Sequence, residues 1–180
     1  MRKSRKDQKL DFVIDKLTSS IENTLTGERF ETDIVRLYSM DSRLIKKKDW
    51  DFDWRDELKK TEREIYGLTT HENPEIIHGL ISLSDNVDHV QMHLLENAAF
   101  NRSRSKIYSG VAANLAAFAC KLSFERGFGG AIAFVAKSAL MDHYEKSLGA
   151  KRFAGHRMFI DTRDAYILVK RYFKDFDNAD

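Results

Sequence analysis

The feature that most constrains the fold is a change of hydrophobic period in the second half of the chain. In His89–Leu94, apolar residues alternate with polar ones, which predicts a strand with one buried face. From Val111 to Leu122, apolar residues recur every three or four positions, as in an amphipathic helix. The run Ala131–Ala136 is apolar throughout and predicts a strand covered on both faces. A strand, a helix and a strand in this order predict a parallel pair joined by a right-handed crossover.

Further strands are predicted upstream of this unit. The patterns at Glu64–Thr70 and Glu75–Leu83 indicate strands, and polar turns separate them from each other and from the alternating segment. Short turns between consecutive strands are typical of an antiparallel meander. Nearer the N-terminus, a turn at Gly27 leads into a strand at Phe30–Arg36, and Phe12–Ile21 is compatible with a helix.

The C-terminal part continues the alternation of helices and strands. A helix is predicted at Ala139–Leu148, a strand at Arg152–Ile160 and a last helix at Arg163–Phe173, with Thr162 as its N-cap. The predicted fold class is therefore α/β with a mixed sheet. Antiparallel N-terminal strands are followed by a parallel β-α-β crossover and further helices.

Composition limits the class of protein. The chain has 180 residues, of which 42% are hydrophobic and 32% charged, and this is typical of a soluble globular protein. We expect a single domain over residues 1–180, with residues 1–9 as a loose basic tail and the charged segment 40–63 helical in part. The formal net charge is only +2, which argues against nucleic acid as the main partner.

The apolar runs, the N-terminal residues and the cysteine content predict where the protein is found in the cell. No run of about 18 apolar residues is present, and the N-terminus lacks the apolar stretch of a signal peptide. Cys120 is the only cysteine, so an intrachain disulfide is excluded, and its place among alanines predicts a buried, inert thiol. We expect a cytoplasmic protein that binds no membrane.

A candidate anion site lies where the amphipathic helix begins. Gly110 follows a basic, serine-rich segment at Asn101–Lys106 and precedes the small residues of the first helical turn. The first turn of a helix has unpaired backbone N–H groups and a partial positive charge. A glycine there lets a phosphate or pyrophosphate approach the backbone closely.

Over residues 64–160 the sequence resembles the GNAT superfamily of acyl-CoA-dependent N-acyltransferases. The family binds the pyrophosphate of acetyl-CoA at (Arg/Gln)-x-x-Gly-x-(Gly/Ala), and the matching positions are Ile107–Ala112. Gly110 and Ala112 fit the motif, and Ile107 stands in place of Arg or Gln. About 32 residues downstream, Tyr144–Ala150 is similar to the family's Tyr-Glu-Lys-Leu-Gly-Phe box, with one extra residue.

The resemblance implies an N-acetyltransferase that moves an acetyl group from acetyl-CoA, its co-substrate, to an amine acceptor. The pyrophosphate turn would be assisted by basic residues of the preceding loop, and a lysine stands where the family often has asparagine. The cofactor-binding residues implied in this way are Arg102, Arg104, Lys106, Ser109, Gly110, Val111, Ala112 and Lys137.

The resemblance also implies two catalytic residues. In many members the tyrosine of the second box is the general acid that protonates the departing thiolate, and this implies that role for Tyr144. The alternative is an aromatic residue packed against the sheet with its hydroxyl group satisfied. Members that use a carboxylate base often take it from the fourth strand, and Glu96 ends that strand here. The alternative for Glu96 is a surface charge at a strand end.

Other residues have simpler explanations. His89 and His93 are too far apart on a strand for one metal ion, and a solvated strand face is the expected reading. The cluster Trp50–Trp54 is expected to pack over the sheet, and the alternative is an acidic acceptor pocket.

Three functions follow, and a homodimer or weak self-association is expected with each. The first is the acetyltransferase. The second is a GNAT-fold protein without catalytic activity that binds acyl-CoA or a protein partner. The third is a small basic nucleic-acid-binding protein.

Overall fold

The computed structural model describes residues 20–101 and 108–176, and its strands form one mixed sheet. The strands of this described part are β1 (Ser20–Asn23), β2 (Arg29–Leu37), β3 (Glu64–Thr70), β4 (Gly79–Asp85), β5 (Val90–Asn97), β6 (Tyr108–Ser109), β7 (Ile132–Val135), β8 (Lys151–Ala154) and β9 (Arg157–Ile160). Across the sheet their order is β6-β1-β2-β3-β4-β5-β7-β9-β8. Strands β5 and β7 are parallel, and the other pairs are antiparallel.

The α-helices in the same residues are α1 (Trp54–Glu57), α2 (Val111–Glu125), α3 (Ser138–Leu148) and α4 (Thr162–Tyr172). Short 3-10 helices lie at Ser39–Leu44, Lys47–Asp49 and Ala99–Asn101. Helix α2 leads from β5 to β7, so the predicted crossover and the mixed α/β sheet are confirmed. None of the described helices has the length and apolar character needed to cross a membrane.

Two cores cover the two faces of the sheet. On one face, helices α2, α3 and α4 pack over the larger core, to which Leu83 and Met92 contribute from the central strands. On the other face, the segment between β2 and β3 forms a smaller core, in which Trp50 and Trp54 pack with Leu80 of β4. The central strand β4 is therefore buried on both sides, as its apolar sequence requires.

One glycine permits the closest approach of a helix to the sheet. A methyl group added at Gly79 would lie 2.6 Å from Cγ1 of Val111 and 2.9 Å from Cδ1 of Leu115. The start of α2 can therefore rest directly on β4. Gly79 pairs with Asn97, so this contact also brings the start of α2 close to the end of β5.

Three sequence predictions need correction. The strand expected at Glu75–Leu83 begins only at Gly79. The single strand expected at Arg152–Ile160 is a hairpin of β8 and β9, because Gly155 adopts a φ of 57° and turns the chain. The N-cap of α4 is Asp161 rather than Thr162, since the Asp161 carboxylate accepts a hydrogen bond from the backbone N–H of Asp164.

Two expectations concern the N-terminal region. The basic tail at residues 1–9 lies outside the described residues. So does most of the helix considered for Phe12–Ile21, whose last two residues, Ser20 and Ile21, belong to β1.

Candidate active site

A cleft opens where the two parallel strands diverge. Strands β5 and β7 pair only at Val90 with Ile132 and at Gln91 with Ala133. Beyond these pairs the strands separate and leave a cleft of about 650 Å³. It is lined by Phe52, Met92, His93, Leu94, Leu95, Phe134, Val135, Ala136, Lys137, Ser138, Ala139, Leu140, Tyr144 and His156. Two β-strands therefore present their backbone edges to an extended ligand between them.

Tyr144 lies on the wall of this cleft that α3 provides. Its ring packs edge-on against Phe134 of β7, with 5.5 Å between the ring centroids. Burial raises the pKa of the Tyr144 hydroxyl to about 12, because the low-polarity surroundings disfavour the phenolate. The phenol therefore carries its proton at neutral pH. Tyr144 therefore packs on the sheet and also lines the cleft, and its role as the general acid stays a prediction.

The predicted pyrophosphate turn lies at the start of α2, and its role in binding an anion stays a prediction. Gly110 adopts a φ of 89° and is the N-cap of α2, without a side-chain cap on the first turn. Its carbonyl oxygen accepts hydrogen bonds from both the backbone and the side-chain amide of Asn114. Val111 and Ala112 are buried, so their side chains pack inwards and only the backbone is left to serve a ligand.

Several predicted cofactor residues cannot be placed. Arg102, Arg104 and Lys106 lie outside the described residues, as does the side chain of Ser109. Lys137 is placed, because it is the N-cap residue of α3 and its exposed side chain lines the cleft. The described residues that line the cleft do not include the turn at Gly110.

Glu96 is a buried carboxylate that accepts hydrogen bonds from the segment 51–54. It is 7% exposed. The backbone N–H groups of Asp51 and Phe52 donate to it at 2.6 and 3.3 Å, and the indole Nε1 of Trp54 donates at 2.7 Å. It is thus not the surface charge considered as an alternative, and it ties the segment 51–54 to the end of β5. Its role as a general base stays a prediction.

The tryptophan cluster packs as expected and also shapes the cleft. Trp50 and Trp54 are buried and meet edge-on, with 6.3 Å between ring centroids. Phe52, between them in sequence, is 45% exposed and lines the cleft. It also lines a neighbouring pocket of about 380 Å³ with Lys47, Asp51, Asp53, Arg55 and Lys59. The segment 51–54, which Glu96 holds by hydrogen bonds, therefore gives this edge of the cleft an aromatic and charged rim.

Sequence reasoning missed His93. The expected solvated strand face is wrong for this residue, because its Nε2 lies 2.6 Å from Oγ of Ser84 and its ring lines the cleft. Burial is the largest of the influences that lower the His93 pKa. Cys120 behaves as predicted, since it is fully buried and burial raises the pKa of its thiol.

Comparison with solved structures identifies the fold. AtaTR bound with acetyl-CoA is 18% identical and has a TM-score of 0.51, over 76% of this chain and 97% of that one. The AtaT–AtaR complex bound to DNA is 17% identical, with a TM-score of 0.57 over 76% of this chain and 98% of that one. AtaT complexed with acetyl-methionyl-tRNAfMet is 16% identical, with a TM-score of 0.56 over 77% of this chain and 99% of that one.

At identities this low, the structural likeness shows the fold alone. AtaT toxins are GNAT-fold acetyltransferases, so the GNAT-like fold that the motifs indicated is confirmed. No protein-family model matches the chain, and no curated protein matches it either.

The comparisons correct one expectation about partners. The sequence argument that nucleic acid is not a main partner is wrong as an exclusion, because similar structures were solved with DNA and with a tRNA. A net charge of +2 sums over the whole chain and does not report how charge is distributed. The pocket beside the cleft, for example, brings Lys47, Arg55 and Lys59 together with Asp51 and Asp53.

Proposed function

We propose that this chain is an N-acetyltransferase that moves an acetyl group from acetyl-CoA to a primary amine. The observation that carries the proposal is Tyr144, a protonated phenol in the cleft between two diverging parallel strands. The Gly-x-Ala turn and the tyrosine box resemble GNAT motifs, and a protein of the same fold was solved with acetyl-CoA.

The residues at the end of β5 fit a pantetheine arm, which carries amide N–H groups. Oδ1 of Asn97 is buried and has no hydrogen-bond partner among the described residues. A buried acceptor left unpaired costs about 1–3 kcal/mol, so a donor from a ligand would stabilise this position. Asn97 pairs with Gly79, on which the first residues of α2 rest. An acceptor for the arm and the backbone turn for the pyrophosphate would therefore be neighbours.

Each part of the chain then has a distinct task. The backbone of Gly110–Ala112 would bind the pyrophosphate. Arg102, Arg104 or Lys106 would supply positive charge to the phosphates, and Lys137 would contact the cofactor where it passes through the cleft. Acetyl-CoA supplies the thioester whose carbon–sulfur bond breaks. Tyr144 would give its proton to the departing sulfur, because an un-ionised phenol is the form that can donate.

We propose further that the acceptor amine is carried by an aminoacyl-tRNA. A protein of the same fold was solved with acetyl-methionyl-tRNAfMet. In this chain, exposed Phe52 joins the cleft to a pocket that contains Lys47, Arg55 and Lys59. Single-stranded RNA ends are bound by aromatic stacking and by cations on the phosphates, and this rim offers both. Asp51 and Asp53 share the pocket and would face the amine rather than the phosphates.

The test is acetyl transfer from radiolabelled acetyl-CoA to total tRNA that has been charged with amino acids. We expect label in acid-insoluble RNA, its release by mild base, and no label in the matched uncharged tRNA. A panel of small amines, followed through release of free CoA, provides the comparison. Label on small amines alone would reject the RNA acceptor and retain the acetyltransferase. Binding of acetyl-CoA without turnover on any acceptor would support the non-catalytic alternative.

A further inference from the structure

A β-bulge places His93 on the wall of the cleft. On β4, Leu83 pairs with Met92 and Ser82 pairs with Leu94, so His93 is the extra residue of β5. A bulge re-aims a side chain and ends regular pairing, and bulges are frequent beside active sites. Here it lies just past the point where β5 leaves β7.

His93 and Tyr144 reach the cleft from opposite faces of the sheet. Met92 belongs to the core under the helices, and Tyr144 packs against that same core. Leu94 belongs to the core under the Trp50–Trp54 segment. Regular alternation would put Leu94 on the side of Met92, so the extra residue at the bulge moves Leu94 to the other face and leaves His93 beside it, opposite Met92. The cleft therefore has Tyr144 on the helix side and His93 on the side of Phe52.

The surroundings of His93 favour the neutral ring. Burial lowers its pKa most, because it disfavours the imidazolium, and Arg63 and Lys60 lower it further. Glu57 and Glu62 act in the opposite direction. The other titratable side chains lining the cleft are Lys137, Tyr144 and His156.

The hydrogen bond to Ser84 leaves one ring nitrogen for chemistry. Ser84 Oγ lies 2.6 Å from Nε2. For Nδ1, the described residues show no hydrogen-bond partner. If Nε2–H donates to the serine oxygen, the lone pair of a neutral ring is on Nδ1, and a protonated ring keeps the same bond to Ser84.

We propose that His93 is the general base that takes the proton from the attacking amine, opposite Tyr144 as the general acid. This proposal rests on the acetyltransferase function proposed above. The amine nitrogen forms a bond to the thioester carbonyl carbon, and the carbon–sulfur bond breaks with its electron pair moving to sulfur. Nδ1 of His93 takes a proton from the nitrogen, and Tyr144 gives a proton to the sulfur. The products are an amide and free CoA, and solvent returns the two side chains to their starting states.

The test compares His93→Gln with the matched control His89→Gln, using charged total tRNA and acetyl-CoA. Histidine 89 lies just before β5, outside the cleft, and bonds to Asp88. Loss of a general base lowers turnover by roughly 10²-fold or more. We expect that loss in the His93→Gln variant, with an acetyl-CoA Kd within about twofold of wild type, and normal turnover in the control.

Two readouts exclude a merely structural role. In wild type, a plot of log(kcat/KM) against pH should have a slope of about two at acid pH, because both the amine and His93 must be unprotonated. In His93→Gln the slope of the same plot should be about one, because only the amine must lose a proton. Added imidazole should restore part of the turnover of His93→Ala and leave wild type unchanged. Wild-type turnover in His93→Gln, or no rescue of His93→Ala, overturns the base with the acetyltransferase intact. A wild-type protein that transfers no acetyl group overturns both.

Discussion

The substitution Glu96→Gln distinguishes a carboxylate that holds the acceptor rim from one that takes part in proton transfer. Among the described residues, the donors to Glu96 include the backbone N–H groups of Asp51 and Phe52 and the indole N–H of Trp54. Hydrogen bonds to a charged group contribute about 1.5–3 kcal/mol each, and bonds between neutral groups about 0.5–1.5 kcal/mol. Glutamine keeps one acceptor oxygen and places an NH2 group where the other oxygen was, so a donor faces a donor.

One bond is therefore lost and the others are weakened. We expect the free energy of unfolding to fall by about 3 kcal/mol. For a chain of this size, that lowers Tm by roughly 6–12 °C. The position of Phe52 depends on the same bonds, so the acceptor KM should rise while the shape of the pH profile stays that of wild type.

The assays are urea unfolding, thermal unfolding and steady-state kinetics. Trp54→Phe is the matched control, because it removes one donor and leaves the carboxylate; we expect a loss of about 1–2 kcal/mol. The double variant should lose less than the sum of the two single losses, since Glu96→Gln weakens the same Trp54 hydrogen bond that Trp54→Phe removes. A Glu96→Gln variant with wild-type stability and about 10²-fold lower kcat would refute this reasoning and make Glu96 the base.

Three further predictions concern the cleft, the predicted pyrophosphate turn and the pH dependence of stability. Tyr144→Phe keeps the ring packed on Phe134 and removes the phenol proton. We expect kcat to fall by roughly 10²-fold or more, with little change in acetyl-CoA affinity. Turnover equal to that of wild type would rule out Tyr144 as the general acid. Gly110→Val puts a branched side chain at a φ of 89° beside the predicted pyrophosphate turn, and acetyl-CoA binding in titration calorimetry should weaken about tenfold or more; a folded variant with unchanged affinity would reject the turn. Burial lowers the pKa of His78 to about 4, whereas its value in the unfolded chain is about 6.5. Between these two pH values the unfolded chain binds more protons than the folded chain, so the free energy of unfolding decreases as the pH falls through this range. About 2 kcal/mol should be lost from roughly pH 7 to pH 5, and urea unfolding of His78→Gln should lack this component; equal losses in both proteins would contradict the assignment.

Local patterns predicted the parts of the fold that depend on neighbours in sequence. The helical spacing from Val111 to Leu122 and the apolar run at 131–136 need no knowledge of the rest of the chain. These two patterns were sufficient to predict that β5 and β7 are parallel strands joined by a helix. The hairpin at the C-terminal end was missed because apolar residues stand on both sides of Gly155. A lone glycine inside an apparent strand is itself a signal of a break, and here it marks the turn between β8 and β9.

The polar residues of the site could not be assigned in the same way, because their partners are distant in sequence. The donors to Glu96 come from residues 51–54, which are 42 to 45 positions away. The placement of His93 depends on a bulge against β4, and a regular alternation cannot indicate where one extra residue enters a strand. Both residues look like surface polar positions in the sequence and acquire their roles only through long-range pairing.

The same backbone irregularities open the cleft and place His93 in its wall, opposite Tyr144. Because β5 pairs with β7 at only two positions, the sheet opens without exposing the core at Val90 and Ile132. The bulge begins beyond these pairs and supplies His93 from one face, and α3 supplies Tyr144 from the other. In the proposed mechanism, an amine that enters past Phe52 meets His93 as the base, and a thioester held on the helix side meets Tyr144 as the acid. If β5 paired with β7 along its whole length, the cleft would close and neither side chain could reach a ligand. The proposed mechanism therefore requires the two strands to separate after the pair Gln91–Ala133.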